Sequence, residues 1–127
     1  MKRNSKTALI LLSIIVLISE FISGIPFIGG IVILSSGWQV LAFNAFIYLV
    51  ILLILMVDRQ NSIKPMLVIP LIGIVANGLA IVPFVGMLLH WLMFVLMIFF
   101  LFVLFVTPVY LPSKNAKVIY ERDHLNQ

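Results

Sequence analysis

Residues 38–57, WQVLAFNAFIYLVILLILMV, hold twenty positions without a charge, and residues 58–64, DRQNSIK, follow with three charges in seven. An apolar run of about 20 residues is the length a helix needs to cross the hydrocarbon core of a bilayer. The charged connector marks where the chain returns to water. Three further runs of this kind flank it, at 7–24, 64–82 and 84–108. The sequence therefore predicts an all-α integral membrane protein, a bundle of four transmembrane helices. It divides into a basic N-terminal segment (1–6), a membrane domain (7–110) and a polar tail (111–127).

Composition supports this reading. Of 127 residues, 64% are hydrophobic and 9% charged. A soluble domain needs about a quarter of its residues charged to cover a water-facing surface. Lipid removes that requirement, because an apolar exterior is then the stable one. The basic residues fall in three clusters. Lys2, Arg3 and Lys6 precede the first helix, Arg59 and Lys64 lie between the second and third, and Lys114, Lys117 and Arg122 follow the fourth. Four spans put all eight on one face, and the positive-inside rule makes that face cytoplasmic. The expected location is a cell membrane, bacterial from the brevity of the loops, with both termini inside. The net charge of +4 reads as a topology signal, and no nucleic-acid partner is expected.

The N-terminus imitates a signal peptide, with basic residues before the apolar run 7–18. Glu20 interrupts the end of that run and no clean small-x-small site follows, so the segment reads as an uncleaved first helix. There is no cysteine, which removes disulfides, thiol nucleophiles and cysteine metal sites.

A shift of 57 residues lays Ile25-Pro26-Phe27-Ile28-Gly29 on Val82-Pro83-Phe84-Val85-Gly86. The same shift places Glu20 on Asn77, and Ser13, Val16 and Ser23 on Pro70, Gly73 and Ala80. These positions share one helix face. Two tandem parallel two-helix repeats are the expected origin, with Pro26, Phe27, Gly29 and Pro83, Phe84, Gly86 as turn motifs. Small residues at Gly73, Ala76 and Ala80 permit close approach, so the first and third spans are expected to form the inner seam. The Gly-rich stretch 24–37 reads as an early start of the second span, with an interfacial or re-entrant segment as alternatives. In the tail, residues 116–122 are compatible with a short amphipathic turn.

Glu20 is the one acidic residue inside an expected span. It lies about 20 Å along the helix from Thr7, toward the outer leaflet. An unpaired carboxylate there is costly, so it is expected to be protonated, paired or wet. Gln39, Asn77 and His90 lie at comparable depth, one on each other helix. The four form a candidate intramembrane polar cluster in which Glu20 and His90 share a proton, and Asn44 fits the same role. Trp38, Trp91 and Tyr110 fall near expected interfaces. No catalytic, cofactor or metal set is found, since His90 and His124 fall on opposite sides and no motif pairs a nucleophile with a base.

The expected function is therefore non-enzymatic, through intramembrane binding of another membrane protein or a second copy, as an accessory, assembly or immunity factor in the lipid bilayer. The alternative is a small oligomeric proton- or cation-coupled transporter with Glu20 as coupling residue. One acidic residue in the first helix of a small four-span chain resembles the small multidrug exporters, and Glu20 alone carries that resemblance.

Overall fold

Proline and glycine set the element boundaries. In the computed structural model, which describes residues 1–111, α1 spans Arg3–Gly24, α2 Ile28–Ser35, α3 Gln39–Val57, α4 Val68–Leu79 and α5 Pro83–Val106. Among these residues there is no strand. The expected polar tail beyond 111, with its amphipathic turn, its basic residues and His124, lies outside the described residues.

A residue before proline is driven out of helical backbone. Ile25 before Pro26, Val82 before Pro83 and Thr107 before Pro108 are all extended and close α1, start α5 and end α5 respectively. The third expected span is therefore shorter than 64–82 and stops at Leu79. Its beginning is a 3₁₀ turn, Lys64–Leu67. Pro70 lacks the amide that would close an α-turn on Met66. The helix from 64 to 79 covers about 24 Å, against about 30 Å of hydrocarbon. The remaining three, α1, α3 and α5, are long and apolar enough to cross a membrane.

Helical backbone does begin ahead of the expected second span, at Ile28, but it forms a separate helix and does not run through. Ser35, Ser36, Gly37 and Trp38 interrupt it, with Gly37 at φ +58° and Trp38 at φ +62°. Left-handed backbone suits glycine and costs a tryptophan about 1–2 kcal/mol.

Helices α1, α3, α4 and α5 pack in a ring. The broad contacts are α1 with α5 and α3 with α4; α1 with α3 and α4 with α5 are narrower. The expected seam between the first and third spans is not found. Helices α1 and α4 stand across the diagonal, and the small residues serve other neighbours. Gly73 lies under the ring of Tyr48 on α3, where a Cβ would come within 2.7 Å of it. Buried positions recur three and four apart, as in Leu9, Ser13, Val16, Glu20 and Ser23 of α1 or Gly86, His90, Met93, Met97 and Phe100 of α5. That period describes side chains interlocking along nearly parallel axes.

The two ends of the ring differ. One gathers every basic residue that is described. There the Lys2 amide donates to Asp58 Oδ2 at 3.0 Å, and Lys6 Nζ donates to the carbonyls of Phe105 at 3.1 Å and Thr107 at 2.7 Å. Lys6 thus satisfies carbonyls that the end of α5 leaves open. Asp58 Oδ1 also accepts from the Gln60 amide, and Asn61 Oδ1 from the Ile63 amide, so two side-chain turns shape the connector. The opposite end holds both Pro-Phe-x-Gly turns and α2.

Candidate functional site

Glu20 is completely buried, one turn below the end of α1. Its Oε1 accepts from the Tyr48 hydroxyl of α3 at 3.0 Å and from Asn77 Nδ2 of α4 at 3.1 Å. Its Oε2 lies 2.5 Å from His90 Nδ1 of α5. Each of the other three helices of the ring therefore contributes one polar group to the single carboxyl on α1. One proton between Glu20 and His90 leaves the pair neutral as a whole whichever atom holds it. Neutrality and the hydrogen bonds on both carboxyl oxygens are what make such a pair tolerable in an apolar interior.

Of the four residues expected to converge, the structure brings together Glu20, Asn77 and His90. Gln39 is not among them. It is the first residue of α3 and exposed, because the break at Gly37–Trp38 sets it at the rim. Tyr48 takes its place from nine residues further along, its ring filling the gap over Gly73. The sequence did hold a signal for it. Leu41, Asn44, Tyr48, Ile51 and Leu55 keep one helical face, on which Asn44 and Tyr48 are the only polar members. Asn44 forms a separate pair, its Oδ1 accepting from the Ser19 hydroxyl at 2.7 Å.

Several buried polar atoms around this cluster lack a partner among the described residues: Ser13 Oγ, Ser23 Oγ, Asn44 Nδ2, Asn77 Oδ1 and His90 Nε2. No three His, Asp or Glu side chains gather to hold a metal ion among the described residues.

The turn motifs build a second feature above the cluster. Pro26, Phe27 and Gly29 face the same end as Pro83, Phe84 and Gly86. The two glycines are buried and the two phenylalanines are 89% and 83% exposed. A Cβ on Gly86 would lie 2.6 Å from the Ala80 carbonyl, and one on Gly29 would collide with the Ser23 carbonyl. Only glycine lets each outgoing helix pass so close to the incoming one. Between the turns lies an apolar cavity of about 450 Å³, walled by Phe27, Gly30, Ile31 and Trp38 on one side and by Ala80 and Phe84 on the other. Ser23 lines it too, and its hydroxyl is one of the unpartnered buried atoms. Phe27 (φ +66°) and Trp38 are the only non-glycine residues with left-handed backbone among the described residues, and both line this cavity. Beside it, Trp91 Nε1 donates to the Gly24 carbonyl at 2.9 Å and closes the end of α1.

No protein-family model matches the chain, and comparison with curated proteins and with solved structures gave no match.

Proposed function

We propose that this is a four-span membrane protein that acts without catalysis, by binding inside the bilayer at the cavity between its two Pro-Phe-x-Gly turns. The observation that carries this reading is the division of labour at that end. The Glu20 carboxyl is consumed by partners within the chain, whereas the cavity above it is open, apolar and bounded by two strained residues. Left-handed backbone at bulky side chains persists where surrounding structure enforces it, and such places concentrate at binding sites.

In this reading α4 is the third of the four spans, its short apolar length extended by the 3₁₀ turn, and the basic end is cytoplasmic. Segregation of Lys2, Arg3, Lys6, Arg59 and Lys64 at one end supports that orientation. The two halves are then a tandem parallel repeat. Matching hydrogen bonds support it: Gly29 N to Ile25 O at 2.9 Å against Gly86 N to Val82 O at 2.7 Å, and Ile25 N to Ile22 O at 3.2 Å against Val82 N to Leu79 O at 3.3 Å.

The chain has no cysteine, so single cysteines give a clean topology map. A membrane-impermeant maleimide should label Ser35→Cys on intact cells and Ser62→Cys only after permeabilisation. For binding, a photoreactive amino acid at Phe27 should give a discrete adduct in living cells, and one at lipid-facing Leu53 should not. Equal, diffuse labelling at both positions would sink the binding reading.

One observation favours a second reading, proton- or cation-coupled transport. His90 Nδ1 lies 2.5 Å from Glu20 Oε2, and His90 Nε2 is buried with no partner among the described residues. Flux driven by a pH gradient in proteoliposomes that vanished in Glu20→Gln would establish it.

A further inference from the structure

We infer that the cavity holds one hydrocarbon chain of a neutral, lipid-like amphiphile, seated so that an ester or carboxyl group near the top of the chain meets the Ser23 hydroxyl. This deepens the binding reading above and rests on it. Three features select the ligand class.

The first is size. About 450 Å³ lies within the range of about 300–1,000 Å³ typical of small-molecule pockets, and equals a cube about 8 Å on edge. A partner helix is about 10–12 Å across with its side chains and is too wide to enter. A single extended chain is not. The second is polarity. The walls are aliphatic and aromatic, and no charged residue lines them among the described residues, so the inserted portion must be uncharged. The third is a buried hydroxyl in the wall. Ser23 is 3% exposed and its Oγ has no partner among the described residues. A buried hydroxyl left without a hydrogen bond is unfavourable by roughly the desolvation of that group, and a ligand carbonyl supplies the missing partner. At the equivalent place on the other turn stands Ala80, so the cavity carries its hydrogen-bonding group on one side only. That asymmetry gives a bound chain one orientation.

Position agrees with the chemistry. The cavity lies at the ends of the apolar helices, flanked by Trp38 and the exposed Phe27 and Phe84. Amphipathic rings such as the indole of Trp38 favour the level where acyl chains meet their ester groups.

Gly30 provides the test. It lines the cavity in the middle of α2, and a Cβ built on it meets nothing within 4 Å. Gly30→Leu therefore fills the space without striking the backbone, and it replaces a poor helix former with a good one. The probe is phosphatidylcholine with a diazirine midway along one acyl chain, incorporated into nanodiscs with the full-length protein. Illumination followed by peptide mapping should place the label on Ile31 and Met87 well above the lipid-facing Leu53 and Val95. Gly30→Leu should lower labelling of Ile31 and Met87 by about tenfold or more, the scale of an overpacked site. Ser23→Ala should lower it by about threefold, the scale of one hydrogen bond. Labelling of Leu53 and Val95 should stay constant in both variants, which also reports that the fold is intact.

Uniform labelling of all four positions, unchanged by Gly30→Leu, overturns the lipid assignment. If in that case Gly30→Leu still abolishes the Phe27 adduct in cells, the binding reading survives with a different occupant. If Gly30→Leu alters neither readout, both fall.

Discussion

The chain reverses direction twice at the cavity end, and the two reversals share one plan until the plan breaks. After each, the buried positions match at a separation of 57 residues: Gly29 with Gly86, and Ile33 with His90. Further along α3 the separation is 53, matching Asn44 with Met97 and Ile51 with Leu104. The difference, 57 minus 53, is four extra residues in the first half, about one helical turn. They are the interruption around Gly37 and Trp38. In the second half the outgoing helix α5 runs straight, and in the first it is cut into α2 and α3. The shared part makes a tight reversal. The unshared part moves Trp38 and α2 aside and opens the cavity. The polar layer differs in the same way, with an acid at Glu20 where the second half has the amide Asn77.

The largest test of this asymmetry is Glu20→Ala against Asn77→Ala. Removing Glu20 strands the Tyr48 hydroxyl and His90 Nδ1 together and leaves Asn77 Nδ2 only its bond to the Gly73 carbonyl at 2.9 Å. Breaking a buried pair of this kind costs about 3–5 kcal/mol. Asn77→Ala removes one hydrogen bond to Glu20 and is expected to cost about 1–3 kcal/mol. Unfolding titrations in mixed micelles measure both, and equal losses would mean the two sides share the load evenly.

Next come the turn glycines. Gly29→Ala and Gly86→Ala each force a methyl toward a carbonyl, a crowding worth about 1–3 kcal/mol. The nearer collision is at Gly29, so its variant should melt lower than Gly86→Ala. The reverse order would place the tighter reversal in the second half.

A smaller effect isolates the interruption. Gly37→Ala must hold φ +58°, at about 1–2 kcal/mol, although nothing crowds it. Gly78→Ala, on the exposed face of α4, should instead stabilise by about 0.5–1 kcal/mol. Thermal melts of the two variants should move in opposite directions.

The smallest effect is at the basic end, where α3 closes on Asp58 and α5 on the neutral Thr107. Burial pushes the Asp58 carboxyl up, but the amides of Lys2 and Gln60, the Ser5 hydroxyl and the N-terminal ammonium outweigh burial and hold it below the usual range. The unfolded chain then binds this proton more readily than the folded one. Stabilisation from Asp58 is complete above the ordinary aspartate value, about pH 4, and is lost as pH falls through the lower folded value. Below about pH 4 the wild type should lose melting temperature faster than Asp58→Asn. Parallel curves would show that the first half's end does not titrate.

Much of this was legible in the sequence because hydropathy and proline positions act locally. Pro26, Pro83 and Pro108 each dictate the residue before them, and the 57-residue match exposed both turns. Glu20, Asn77 and His90 could be grouped from depth alone. Gln39 could not be excluded that way, since its exposure follows from the left-handed backbone at Gly37 and Trp38. The shared face with Asn44 pointed to Tyr48, but its role was hidden for a related reason. A tyrosine in mid-helix resembles core, and its role depends on Gly73 of another helix making room for the ring. The diagonal placement of α1 and α4 was equally out of reach, because small residues signal close approach without naming the neighbour.

The hydrogen bond from the Trp91 indole to the Gly24 carbonyl carries a spectroscopic consequence. The chain has two tryptophans, and both stand at the cavity end, Trp91 edge-on to Phe21 and Phe94 and Trp38 in the cavity wall. Intrinsic emission is therefore a local gauge. Its tryptophan component registers events around α2 and the two reversals, and loosening at the lysine-rich end leaves that component unchanged.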